Sequence, residues 1–452
     1  MTTVPAVPSE WREGEVAVIG LARSGVAATR LLLHEGLRVY ASDGATSPAL
    51  EERGAELRAA GAAVDVGRHD LARIRGACAA IVSPGIPPDA EVLGAARAAG
   101  VPILAELDLA ARVLAGSRLI VITGTNGKST TTALTAHLLT EGGMRAAAAG
   151  NIGRPLAELA LEAEPPEWIA VEASSFQLHD APDLDPAIGV VTNLSPNHLD
   201  RYHSVAEYYA DKQLLFRNAS PASVWVLNGD DAAVRELADD APGTRRIWRL
   251  TGEADAWYDR GRDALILDGA VLLARAELPL VGDHNVENAL AAALAARAAG
   301  VAPAALARGL RSARALPHRL ELVREVDGIR WINDSKATSV AAAAVGVRAM
   351  DRPFVVLMGG RHKGEPYTVL APLLDARCRG VVAFGESAPL IVHDLGGDRV
   401  QRVETLDEAI QVARELARPG DTVLLSPACS SFDQFTDYEE RGAVFRRLVE
   451  AL

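Results

Sequence analysis

One stretch of the chain combines glycines, a lysine and hydroxyls at a spacing suited to phosphate chemistry: Thr123-Gly124-Thr125-Asn126-Gly127-Lys128-Ser129-Thr130. Glycines let the backbone turn its N–H groups toward an anion, and a helix beginning there adds a partial positive charge. Lys128 supplies a full charge for the outer phosphates of a nucleoside triphosphate, and Ser129 or Thr130 offers a hydroxyl to Mg2+. The spacing G-x-x-G-K is shorter than that of the standard phosphate loop. A glycine-turned helix start with a solvated lysine would use the same residues. The apolar run 119–123 before it and the helical pattern after it favour the phosphate loop.

Three further residues suit a metal and phosphate site. Glu172 follows the apolar run 168–171, where an acid can hold Mg2+, although taken alone it reads better as a strand-end carboxylate in water. His198 lies in Asn193-Leu194-Ser195-Pro196-Asn197-His198-Leu199-Asp200, after another strand-like run, and fits a polar site no better than a packed loop. Lys212 shares one helical face with Tyr208, Tyr209, Leu215 and Phe216. Desolvation there lowers an ammonium pKa and makes the amine nucleophilic, able to take up CO2 as a carbamate. On these residues alone, a lysine that snorkels along the stripe is the better reading.

The last third of the chain gathers cations at loop positions. Arg319 follows Pro317-His318, and Asp334 and Lys336 flank Ser335. Gly359-Gly360-Arg361-His362-Lys363-Gly364 makes a basic, glycine-rich turn. Together they point to an anionic ligand. Cys429 reads as a buried structural thiol, because the adjacent sequence offers no histidine base.

These residues need elements that bring them together. A strand is expected at 16–19, then a Gly20-Leu21-Ala22-Arg23-Ser24-Gly25 turn, a helix, and a second strand at 37–41 closed by Ser42-Asp43. Further strands are expected at 79–82, 119–123, 168–171, 187–192, 223–227, 354–358, 380–384 and 422–425, with helices between them. That alternation makes an α/β protein with largely parallel sheets, whose ligands bind beyond the carboxyl ends of strands. The 452 residues allow about three domains at roughly 150 residues each.

A net charge of −13 argues against non-specific nucleic-acid binding, while leaving room for a local basic pocket for phosphates. With 49% hydrophobic and 23% charged residues, the chain is neither disordered nor collagen-like. The three widely spaced cysteines form no zinc pattern and fit a reducing compartment. Residues 1–12 lack the apolar stretch of a signal peptide, and no apolar run reaches about 18 residues. The expectation is a cytoplasmic protein without membrane insertion.

Taken together, the motifs resemble the Mur ligase family over essentially the whole chain. The carrying stretches are 124–130, 172–177, 193–202, 282–288, 316–319, 330–338 and 425–435. The first and fourth look like a wider superfamily of ATP-dependent ligases that includes folylpolyglutamate synthases. Leu316-Pro317-His318-Arg319, Trp331-Ile332-Asn333-Asp334-Ser335-Lys336-Ala337-Thr338, Met358-Gly359-Gly360 and Ser426-Pro427-Ala428-Cys429 look more specific to the D-glutamate-adding branch. Asn197 departs from the acid expected before the histidine, and the turn at Gly20 is looser than a dinucleotide fingerprint.

The resemblance implies three domains: a Rossmann-like UDP-substrate domain over 1–106, a central ATPase-like phosphate-loop domain with a parallel sheet over 107–315, and a Rossmann-like amino-acid-binding domain over 316–452 that closes over the site. It implies ATP-driven addition of D-glutamate to UDP-N-acetylmuramoyl-L-alanine through an acyl phosphate, in cytoplasmic peptidoglycan precursor synthesis, by a monomer. Lys128, His198 and Lys212 would be catalytic, with Lys212 a carbamate, against the snorkelling reading. ATP would meet residues 124–130, Asn288, Arg319, Asp334 and Lys336. Two Mg2+ ions are implied, one at Glu172 and the hydroxyl of Ser129 or Thr130, the other near His198 and Lys212. Arg23, Ser24 and Asp43 would face uridine and diphosphate, Asn151 and Gln177 the muramoyl-alanine part, and Thr338, Lys363, Ser431 and Phe432 D-glutamate. Three alternatives stay open. A sibling or folylpolyglutamate-synthase-like ligase would add another amino acid. A dehydrogenase binding NAD at Gly20 and Asp43 would leave 123–130 unexplained. A nucleotide-dependent switch would bind ATP without amino-acid-dependent phosphate release.

Overall fold

The computed structural model describes residues 7–197, 201–397 and 399–452. The chain divides into two compact units, one running to Leu278 and including Glu287–Arg311, the other made of Pro279–Val286 and Ser312–Leu452.

The first unit opens with β1 (Glu15–Ile19), β2 (Arg38–Asp43), β3 (Ala63–Val66), β4 (Ala79–Val82) and β5 (Ile103–Ala105). They form an all-parallel sheet in the order β3-β2-β1-β4-β5. Val16 to Ile19 are all buried, as a strand covered on both faces requires. The order reverses between β1 and β4, and the crevice above their carboxyl ends is the ligand position in such sheets. Gly20 there has φ +95°, and a Cβ on it would lie 2.9 Å from the Ser83 side chain beyond β4.

A second sheet in this unit has nine strands: β6 (Arg118–Thr123), β7 (Ala146–Gly150), β8 (Trp168–Glu172), β9 (Ile188–Val191), β10 (Val224–Asn228), β11 (Thr244–Arg249), β12 (Ala256–Asp259), β13 (Ala264–Leu267) and β14 (Ala270–Ala274). Their order is β14-β13-β12-β11-β10-β9-β6-β8-β7. The expected parallel pairing holds from β7 through β12. The far edge corrects the expectation: β12, β13 and β14 form an antiparallel meander. Asp268 and Gly269 turn it, both at positive φ, as a two-residue Asp-Gly hairpin loop demands. The helix Asp283–Ala298 is buried all round from Ala289 to Ala296, a run of alanines with Leu290 and Leu294.

The second unit has β15 (Glu321–Val326), β16 (Ile329–Asn333), β17 (Phe354–Gly359), β18 (Cys378–Phe384), β19 (Val400–Arg402) and β20 (Thr422–Leu425). Their order is β15-β16-β20-β17-β18-β19, with only β15 antiparallel. From β17 the chain steps outward to β18 and β19, then returns to insert β20 beside β17. That places a switch point at the carboxyl ends of β17 and β20. Among the described residues no helix is long and apolar enough to cross a membrane.

Candidate active site

In the nine-stranded sheet the order reverses at β6, with β8 on one side and β9 on the other. The loop from Gly124 to Gly127 leaves β6 there and enters the helix Lys128–Glu141. Two close approaches explain its glycines. Gly124 has φ +138°, and a Cβ on it would stand 2.0 Å from Thr192 Oγ1. Gly127 has φ +81°, and its Cβ would stand 2.3 Å from Asn288 Oδ1. Asn288 is thus packed against the loop, and its Oδ1 also accepts from Thr131 Oγ1 at 3.2 Å. The loop after β9 is stitched to the same turn. Thr125 N donates to Asn193 O at 2.8 Å, Asn126 N to Asn193 Oδ1 at 2.9 Å, and Thr192 Oγ1 to Asn126 O at 2.6 Å. Lys128 Nζ lies over the turn, donating to Gly124 O at 3.1 Å and Thr125 O at 2.9 Å. Ser129 is buried and Thr130 half-buried in the first helical turn.

Lys212 reaches this turn from the helix Val205–Gln213. It is 1% exposed, so the snorkelling lysine favoured by its helix face is corrected: the amine is sealed inside. Its Nζ donates to Gly124 O at 2.8 Å and sits 4.7 Å from the Tyr208 ring centre. Burial, reinforced by the charge of Lys128, pushes its pKa down to about 6, against the pull of Asp211 and Glu172. Glu172, at the end of β8, is 3% exposed. Its Oε1 accepts from Asn151 Nδ2 at 3.2 Å, while its Oε2 is buried with no hydrogen-bond partner. His198 lies outside the described residues. Asn197, just before it, is exposed.

At the first sheet, Asp43 accepts from Leu21 N at 2.8 Å and from Ala45 N at 2.9 Å, holding the Gly20 turn. Ser24 is half-buried, and the exposed Arg23 donates to Gly153 O at 3.1 Å. Gln177 is buried, and its Oε1 closes a capping box with Ser174 at the start of the helix Ser175–His179.

In the second unit, Asp334 is buried beside β20. It accepts from Ser426 Oγ at 2.9 Å and Leu320 N at 3.2 Å, and burial pushes its pKa up to about 7 despite these bonds and the nearby Arg319. Lys336 Nζ stands 5.1 Å from the Tyr438 ring centre. Arg361 and Ser430 pair through their backbones, N to O at 2.9 Å and 3.1 Å, which brings the basic turn at 359–364 against 429–431. Around that seam Ser431 is buried, Thr338 half-buried, Lys363 exposed and Phe432 60% exposed. Cys429 is buried, with Tyr367 Oη at 2.8 Å and Ser387 Oγ at 3.2 Å, and burial raises its pKa, as a structural thiol requires.

Three family models match the chain: a Mur ligase MurD-like N-terminal domain over 14–105, a Mur ligase middle domain over 122–296, and a Mur ligase glutamate ligase domain over 318–429. The chain is also 43% identical to a UDP-N-acetylmuramoylalanine–D-glutamate ligase of Myxococcus xanthus, over 97% of this chain and 98% of that protein. The chain belongs to the Mur ligase family. This Mur ligase is likewise 41% identical to the protein of the same name in Salinibacter ruber, covering 98% of its own length and 99% of the relative's. Among solved structures it resembles a UDP-N-acetylmuramate–alanine ligase from Thermotoga maritima, with a TM-score of 0.62 and 20% identity over 97% and 99% of the two chains. That likeness speaks for the fold.

In this Mur ligase Arg201, within the stretch 193–202, belongs to the site although its type and spacing carry no chemical signal of their own. Its Nη1 and Nη2 donate to Pro84 O at 3.1 Å and Ile86 O at 3.0 Å, beyond β4. Its guanidinium lies 3.7 Å from the Phe176 ring centre, and Phe176 stacks on Tyr202 at 5.4 Å. Tyr202 Oη donates to Asp211 Oδ2 at 2.8 Å, one residue before Lys212. This network borders a cavity of about 170 Å3 between the two sheets of the first unit. The only sequence signal was an arginine among aromatics directly after the histidine motif.

Proposed function

We propose that this ATP-dependent Mur ligase joins D-glutamate to UDP-N-acetylmuramoyl-L-alanine, an amide-forming step in peptidoglycan precursor synthesis. The full-length identity to two ligases of that name supports the substrates. One observation supports the chemistry above the others: a phosphate-loop turn, a sealed lysine amine and an acid with an unpaired oxygen meet at one strand-end crevice. A carboxylate resists attack because its charge repels the amine's electrons. Transfer of the γ-phosphoryl group makes it an acyl phosphate; the amine of D-glutamate then attacks, and phosphate leaves from a tetrahedral intermediate.

The loop amides and Lys128 hold the outer phosphates and offset their charge. The residues present fit Mg2+: Glu172 Oε2 lacks a partner, and the hydroxyls of Ser129 and Thr130 lie in the first turn beyond the loop. When bound, Mg2+ supplies charge neutralisation at the transferring phosphoryl group. Lys212, with its pKa lowered to about 6, presents a neutral amine that fits uptake of CO2, which would give an anion able to hold a second Mg2+ together with His198. Asn288 sets the loop. Arg319, Asp334 and Lys336 are assigned to the nucleotide on their motifs alone. Arg23, Ser24 and Asp43 are assigned to the uridine diphosphate part, Asn151 and Gln177 to the muramoyl-alanine part, and Thr338, Lys363, Ser431 and Phe432 to D-glutamate. The corresponding domains are 1–106, 107–315 and 316–452, acting as a cytoplasmic monomer.

The test is phosphate release from ATP with UDP-N-acetylmuramoyl-L-alanine and a panel of D- and L-amino acids. Release is expected with D-glutamate and lost in Lys128→Ala at unchanged fold. Release with another amino acid instead makes this chain a sibling ligase, and ATP binding with no amino-acid-dependent release makes it a switch.

A further inference from the structure

Arg441, in the first turn of the helix Tyr438–Glu450, is 0% exposed, and among the described residues no other arginine is buried. It lies under the carboxyl ends of three strands. Nε donates to Ser335 Oγ at 3.0 Å and Nη2 to Ser335 O at 2.8 Å, just past β16. Nη1 donates to Gly359 O at 3.3 Å, the last residue of β17. Both terminal nitrogens donate to Cys429 O at 3.2 Å, and Nη1 also to Ser430 O at 3.4 Å, past β20. The backbone is shaped to admit it: Gly360 has φ +131°, and a Cβ there would stand 2.0 Å from Ser430 O and 3.1 Å from Arg441 Nη1.

Every acceptor is neutral. No carboxylate of the described residues comes within ion-pair distance of Arg441. Asp433 acts on it only from further away, and its Oδ2 is already engaged by Glu386 N. Burial pushes the guanidinium down to about 10, so it keeps its proton at neutral pH. A buried, uncompensated charge is costly, and a neutral donor could have tied the same carbonyls at lower cost. The three segments it ties lead directly into Thr338, Lys363 and Ser431.

We propose that Arg441 is a positioning residue that fixes these three strand ends relative to one another and lends its buried positive charge to the amino-acid subsite, so that an acidic side chain is preferred to its neutral amide. The inference rests on the reading of that seam as the D-glutamate site. A guanidinium suits both tasks, since its planar fork meets several carbonyls while the charge stays delocalised.

Two substitutions separate the tasks: Arg441→Gln keeps donors without charge, and Arg441→Lys keeps charge without the fork. The full-length enzyme is assayed for the KM of D-glutamate, the inhibition constant of D-glutamine as its competitor, and the KM of ATP and of the nucleotide-sugar. In Arg441→Gln the KM for D-glutamate should rise about tenfold, while the D-glutamine constant and both other KM values stay within about twofold. Arg441→Lys should keep the preference for D-glutamate over D-glutamine at a lower kcat. An unchanged D-glutamate KM in Arg441→Gln, equal weakening of both amino acids, or failure of either variant to fold overturns the inference and leaves the function standing. Absence of D-glutamate turnover in the unmodified enzyme overturns both.

Discussion

Lys212 and Arg441 are both withdrawn from water beneath strand ends, at 1% and 0% exposure, yet they end in opposite states. Burial brings the lysine to about 6 and the arginine only to about 10. Lys212 has one good acceptor, Gly124 O, with Thr123 Oγ1 at 3.5 Å and the charge of Lys128 nearby. Arg441 spreads its charge over acceptors on three segments. The same desolvation therefore yields a proton-free amine at the turn after β6 and a fixed charge beneath the seam of 359–364 and 429–431. Side-chain chemistry, not depth of burial, decides which of the two a site receives.

The sharpest way to break this contrast is to put the permanent cation in the lysine's place. Lys212→Arg should lower kcat by about a thousandfold or more in the phosphate-release assay, as Lys212→Ala should. Only the alanine variant should regain activity with added short carboxylates; full activity of either variant without rescue would reject the carbamate. Next in size, Gly127→Ala drives a Cβ into Asn288 Oδ1 at a left-handed φ, and should raise the KM for ATP about a hundredfold in steady-state kinetics. Arg201→Met keeps most of the stem on Phe176 but removes both bonds to the loop beyond β4. It should raise the KM for the nucleotide-sugar about tenfold and leave that for ATP unchanged.

The smallest effect concerns a third buried group. Glu106 accepts from Ala157 N, its Oε2 has no partner, and burial pushes its pKa from 4.5 up to about 7. Between those values the native protein holds a proton that the unfolded chain has released, so stability falls as pH rises through this window and the loss is complete above about 7. Glu106→Gln removes that dependence. Its stability should gain on the unmodified protein by up to about 1.4 kcal/mol per pH unit across the window, read by urea unfolding at pH values bracketing it. A parallel pH profile of the two proteins would show that Glu106 does not titrate there.

The phosphate loop is legible because glycines, a lysine and hydroxyls follow a strand with four consecutive apolar residues, Leu119 to Ile122, at fixed spacing, a pattern that local rules read well. β7 was not, since Ala146 to Ala149 favour a helix in isolation and become a strand only by pairing with β8. The Asp-Gly turns at Asp268 and Asp327 carry a hairpin signal, and with it both antiparallel additions, that hydrophobic periodicity alone does not show. The helix face holding Lys212 was readable, but whether its amine reaches water depends on carbonyls about ninety residues earlier in the chain. Arg441 sits after Glu439 and Glu440, where a charge run reads as a solvated face; only its contacts with Ser335, Gly359 and Cys429 show otherwise.

Arg201 grips Pro84 and Ile86 through main-chain oxygens alone. The tether is therefore blind to which side chains the 83–86 segment displays. Exchanges at Pro84 and Ile86 should therefore leave this mooring in place, whereas Ser83 is pinned separately, its Oγ donating to Gly20 O at 3.3 Å.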